Sequence, residues 1–79
     1  MSLDDALARA RDARQLPPPG VRRQIRERAG ISQQTVAAEI GVTREAVAGW
    51  EIYNRTPRGE NLNRYLAILD RLARETLGS

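Results

Sequence analysis

The chain contains no cysteine, no histidine, no lysine and no phenylalanine. Without cysteine there is no disulfide framework and no thiolate to hold a metal. Without histidine the usual general base, the commonest zinc ligand and the side chain that titrates near neutrality are missing as well. Hydrolytic or redox chemistry would have to rest on Asp, Glu, Ser and Tyr, and no arrangement of these asks for it. An enzyme is therefore not expected, nor is a metal or any other cofactor. No apolar run approaches the roughly 18 residues of a membrane helix. The first residues, Met1-Ser2-Leu3-Asp4-Asp5, are acidic where a secretory signal is basic. The expectation is a soluble, cytoplasmic protein without a membrane partner. Its 79 residues hold one small domain. That leaves no room for a separate effector domain, so no small-molecule effector is expected.

What is present is arginine. All thirteen basic residues are arginine, and the missing lysine is read as a mark of a GC-rich genome rather than of arginine chemistry. Position is more informative than total. Residues 1–19 hold three arginines and three aspartates, and residues 60–79 hold three arginines against Glu60, Asp70 and Glu75. The middle, 20–59, holds seven arginines against four glutamates, so the whole net charge of +3 lies there. A small, localised positive excess suits a face that meets nucleic acid.

The pattern reads as all helix. Ser2 with Asp5 three residues on resembles a capping box, and Leu3, Ala6, Leu7, Ala10 and Ala13 follow at helical spacing. Asp4 and Asp5 at the start, with Arg11 and Arg14 near the end, match the helix dipole. Pro17-Pro18-Pro19-Gly20 stops this helix and imposes an extended connector. A second helix is expected over 21–29, with Gly30 in the left-handed conformation after it. Ser32 caps a third over 33–40, ended by Gly41, and Thr43 caps a fourth over 44–52. Tyr53 to Gly59 reads as a loop. The last helix, over 60–76, carries Leu62, Tyr65, Leu66, Leu69, Leu72 and Ala73 as its apolar stripe. The domain reading is an N-terminal helix and proline-rich connector over 1–19, followed by a helical domain over 20–77.

The informative segment is 32–51. Two short helices meet across a turn of three or four residues, which constrains several positions together. Ala37 must be small where the second helix crosses it, and Gly41 allows the positive φ of the turn. Val36, Ile40, Val42, Val47 and Trp50 then face a shared core. Any one of these is common; together, at these spacings, they mark a helix-turn-helix.

On the strength of Ser32-Gln33, Val36-Ala37, Ile40-Gly41-Val42-Thr43, Val47 and Trp50-Glu51, followed by Arg55 and Pro57, the chain resembles the Cro and phage-repressor (XRE-like, lambda-repressor-like) helix-turn-helix family. The likeness covers about residues 21–73. It implies an all-α, five-helix DNA-binding domain, with helices two to five joined by the additional N-terminal helix. The implied partner is double-stranded DNA, commonly met by a homodimer on a palindromic operator, and the implied role is that of a phage or mobile-element repressor or Cro-like regulator. Gln33 would hold a backbone phosphate at the start of the third helix. Thr43, Arg44, Glu45 and Ala48 would form the base-reading face of the fourth. Arg44 suits the fork contact to guanine, whereas Glu45 suits either a cytosine amine or simply the helix N-terminus. Asn54, Arg55 and Arg58 would contact phosphates, and Arg26 would pair structurally with Glu51.

Two positions depart from the family pattern. Gly49 stands where a polar reader is frequent; either the backbone comes unusually close to DNA there or the site is silent. Tyr53 stands where glycine is usual, and tyrosine is poor at positive φ, so the turn is expected to shift to Asn54. Arg22 and Arg23 are expected on a solvated face. Leu72, Ala73 and Leu77 extend the last helix's stripe beyond what a five-helix core needs and are expected to bury a dimer partner. Two alternatives stay open: an antitoxin- or excision-type DNA-binding factor whose N-terminal helix holds a protein partner, and an adaptor that kept the fold and lost DNA.

Overall fold

The ends of the helices are set by a handful of side chains and three glycines. In the computed structural model, residues 2–5, 7, 16–52 and 55–77 are described. Helix α1 is described at residues 3–5 and 7, where Ser2 Oγ accepts from the Asp5 amide at 3.2 Å. Ala6, Ala10 and Ala13 of its expected stripe, with Arg11 and Arg14, lie outside the described residues.

Helix α2 spans Pro19–Arg28, two residues earlier than the proline run suggests. Proline has no N–H to lose in the first turn and its φ already suits a helix, so Pro19 opens α2 rather than extending the connector. The amides of Val21 and Arg22 bond the Pro18 carbonyl at 2.9 and 3.0 Å. Helix α3, Gln33–Ile40, starts at Ser32, whose Oγ accepts from the Thr35 amide at 3.1 Å. It ends at Gly41, with φ 91°, which lets the amides of Gly41 and Val42 both close on the Ala37 carbonyl. Helix α4, Arg44–Ile52, begins one residue after Thr43, whose Oγ1 accepts from the Ala46 amide at 3.2 Å. Helix α5, Glu60–Leu77, follows Gly59. Every regular element among the described residues is helical.

Helix α3 packs on α4, and α2 packs on both α4 and α5. Their shared core is Leu16, Val36, Ala37, Ile40, Val47, Trp50, Leu62, Tyr65 and Leu69, with Ile25, Ile31 and Val42 partly buried against it. Leu16, within the 1–19 segment read as N-terminal helix and connector, is part of this core. The chain is therefore anchored to the domain before α2 begins. Arg64 of α5 ties the layers together from outside, donating to the Ile40 carbonyl at the end of α3 at 3.0 Å.

Tyr65 is the largest fully buried side chain, tilted against Trp50 with ring centroids 4.8 Å apart. Its hydroxyl has no hydrogen-bond partner among the described residues, and burial pushes its phenol up to about 12. A buried donor left unpaired opposes folding, whereas the ring itself favours it. Tyr65→Phe should therefore leave stability unchanged or raise it by up to about 1 kcal/mol in thermal melts. The raised phenol also makes wild-type stability fall as pH rises from the ordinary value of 10 toward about 12, because only the unfolded chain ionises readily there. That alkaline slope should shrink in Tyr65→Phe; an equal slope in both proteins would contradict this account.

Candidate nucleic-acid interface

The geometry of the helix-turn-helix rests on charged groups under the end of α4. Glu51 is buried, with 1% of its side chain exposed. A carboxylate out of water needs compensating donors, and three reach it. Arg26 of α2 donates through Nε to Oε2 at 2.6 Å and through Nη2 to Oε1 at 2.9 Å. Gln33, the first residue of α3, donates through Nε2 to Oε1 at 3.1 Å. Burial by itself would raise the Glu51 pKa, but hydrogen bonds from Arg26 and Gln33 outweigh it and hold the group below its ordinary 4.5. The hydrogen bond to Glu51 likewise raises Arg26. Arg26 also donates to the Ile31 carbonyl at 2.9 Å, so it braces the chain just before α3.

Arg22 corrects the sequence reading. It was expected beside Arg23 on a solvated face, yet only 4% of it is exposed. Its guanidinium donates to three main-chain carbonyls from separate segments: Pro17 at 2.6 Å, Trp50 at 2.9 Å and Arg55 at 3.2 Å. Burial lowers its pKa. Arg22 thus fastens the connector, the end of α4 and the following loop to α2. Arg23 does face solvent, paired with Glu27 one turn on. The only sequence signal for Arg22 was its spacing: it lies four residues before Arg26 and so shares that helix face.

The expected reading residues gather at the start of α4. Thr43, Arg44 and Glu45 are exposed, and Ala48 is half-exposed one turn on. Arg44 Nη1 lies 3.5 Å from Gln33 Oε1, a long contact that nevertheless points the arginine back toward α3. Gln33 accordingly sits between Glu51 and Arg44. Arg55 and Arg58 are exposed in the loop before α5, and Asn54, like Tyr53, lies outside the described residues. Gly49 is buried: Arg55 Cδ would lie 3.3 Å from a Cβ at this position. Of the expected dimer residues, Leu72 and Ala73 are half-buried but open onto different grooves. Leu72 lines one with Ile31, Thr35 and Ile68, while Ala73 lines one with Pro17, Ile25 and Leu66. The Leu77 side chain lies outside the described residues. Among the described residues no acidic cluster could hold a metal ion, and no helix is long and apolar enough to cross a membrane.

This arrangement, a short helix carrying exposed polar residues and braced across a tight turn, is that of a DNA-reading module. The helix-turn-helix family model matches residues 23–75, and the chain belongs to this XRE/lambda-repressor-like family. It is a DNA-binding regulator of the XRE type. Neither the curated proteins nor the solved structures yield a match to it.

The buried pair makes an acid-side prediction. Because the Glu51 pKa is depressed on folding, its contribution is present above pH 4.5 and is lost as pH falls below that through the depressed value. Glu51→Gln should flatten this part of the acid-unfolding profile followed by circular dichroism. At neutral pH it should cost about 2–4 kcal/mol, since Arg26 is left without its counter-ion. An acid profile identical to wild type would show that Glu51 does not carry the effect.

Proposed function

We propose that this protein is a sequence-specific transcriptional regulator of the phage or mobile-element repressor or Cro type, acting as a homodimer. Helix α4 enters the major groove, with Thr43, Arg44, Glu45 and Ala48 toward the base edges. The observation that carries this reading is the exposure of Thr43, Arg44 and Glu45 at the start of a helix whose other end is fixed by buried ion pairing. Arg44 presents a fork of donors suited to guanine O6 and N7. Glu45 repels phosphate and penalises wrong sequences more than it adds affinity. The first amides of α3, with the remaining amide proton of Gln33, hold one phosphate, and Arg55 and Arg58 hold others from the loop. The Asn54 contact belongs to the same proposal.

The homodimer would form along the C-terminal half of α5, through Leu72, Ala73 and Leu77. Two-fold symmetry there would present two copies of α4 to half-sites one helical turn apart. A second reading, a protein-partnered factor of the antitoxin or excision type, is favoured by one observation: Leu3 and Leu7 of α1 are 74% and 51% exposed.

Selection of a preferred site from a random DNA pool, followed by mobility-shift titration, tests the proposal. The expected product is a palindrome bound about a thousandfold or more tighter than random DNA, with affinity falling steeply as salt rises. Arg44→Ala should weaken the selected site by about 1–3 kcal/mol and relax the choice of one base pair per half-site. A selected pool with no preference would refute sequence-specific regulation, and an asymmetric single site would refute the symmetric dimer.

A further inference from the structure

Gly49 lies inside α4, where a glycine weakens the helix relative to alanine. It also stands at the place where a polar reader would add to a short reading face. Its surroundings explain the exchange. A Cβ on residue 49 would sit 3.3 Å from Arg55 Cδ, closer than such atoms normally approach. The arginine stem therefore passes close against α4 at residue 49, where even a methyl group would push it aside by a few tenths of an ångström. Residues 45 and 49 share one face of a helix, so this contact lies one turn beyond the exposed Glu45.

The same arginine is held a second time. Its carbonyl accepts from Arg22 Nη1 at 3.2 Å, and the same nitrogen donates to the carbonyl of Trp50, the neighbour of Gly49, at 2.9 Å. The main chain of Arg55 and its stem are thus both fixed relative to α4, while the residue as a whole stays exposed. An arginine already restricted in this way has less rotamer freedom to lose when it meets a ligand.

We infer that Gly49 is a positioning residue: by carrying no side chain it seats Arg55 against α4 and presents a loop guanidinium to the DNA beside Thr43, Arg44, Glu45 and Ala48. The inference rests on the DNA-binding reading given above and makes Arg55 a phosphate contact seated against α4 where a polar reader is frequent. It replaces both expectations for residue 49. The glycine is neither silent nor an opening for the DNA backbone.

A double-mutant cycle on the full chain tests this, with Gly49→Ala, Arg55→Ala and the double variant measured against the selected DNA site at fixed salt. Arg55→Ala should lose about tenfold in affinity and reduce the slope of log K against log salt by about 1. Gly49→Ala should lose part of that factor in the wild-type background and nothing further in the Arg55→Ala background. Thermal melts supply a readout free of DNA. Alanine at 49 should raise the melting temperature more when Arg55 is absent than when it is present, which also shows that the variant folds. A Gly49→Ala loss of equal size in both backgrounds would overturn the inference in favour of direct approach by DNA. No loss in either would overturn it in favour of a silent site. Failure of the wild type to bind any DNA would instead refute the regulator reading, and additive melting temperatures would then dispose of the contact as well.

Discussion

A carboxylate sits almost out of water beneath the end of α4, and the way α2 and the start of α3 meet that helix answers the need to neutralise it. Glu51 takes two hydrogen bonds from Arg26 and one from Gln33, so a single acidic group on α4 draws in α2 and the first residue of α3. Ion pairs of this kind contribute little net stability against an apolar alternative, because desolvation offsets most of the attraction. What they impose is geometry: a bidentate arginine and carboxylate meet well in few orientations. One turn earlier on α2, Arg22 does the same with neutral partners, taking carbonyls from the connector, from α4 and from the loop. The apolar core brings the helices together; the two arginines set how α4 lies on the others.

This division of labour bears on how the protein reads DNA. The proposed reading face is short, with Thr43, Arg44 and Glu45 exposed and Ala48 half-exposed one turn later. Few direct base contacts fit on it. Under the proposed function, specificity draws also on groups from outside α4, on the shape of the DNA, and on the spacing that a dimer would impose. Rigid presentation matters more under those conditions, because a misplaced helix cannot be compensated by many contacts. The chain from Arg26 through Glu51 and Gln33 links the buried pair to the exposed Arg44.

Much of the scaffold was legible from the sequence because its determinants are local. Ser32, Gly41 and Thr43 cap or end helices through atoms within four residues of themselves, so short patterns locate the turn. The core positions Val36, Ile40, Val47 and Trp50 were likewise legible from helical spacing. The start of α2 was not, since three prolines read equally as a connector and as a first helical turn. Arg22 was misread because its partners are carbonyls 28 and 33 residues away, and main-chain groups leave no mark in a sequence. The role proposed for Gly49 was hidden for a related reason. A missing side chain gains meaning only when the group lying against it is known, and that group, Arg55, comes from beyond the end of the helix.

The account's central claim is that buried charge orients the reading helix rather than merely holding the fold together. Replacing both partners, as Arg26→Met with Glu51→Leu, removes the pair without leaving either charge buried alone. Affinity of this double variant for the selected DNA site, measured beside its thermal stability, separates the two roles. The account predicts stability close to that of the wild type together with about tenfold or greater loss of DNA affinity, as expected when reading groups are displaced by an ångström or so. A double variant that is as stable as the wild type and binds the site as tightly would contradict it.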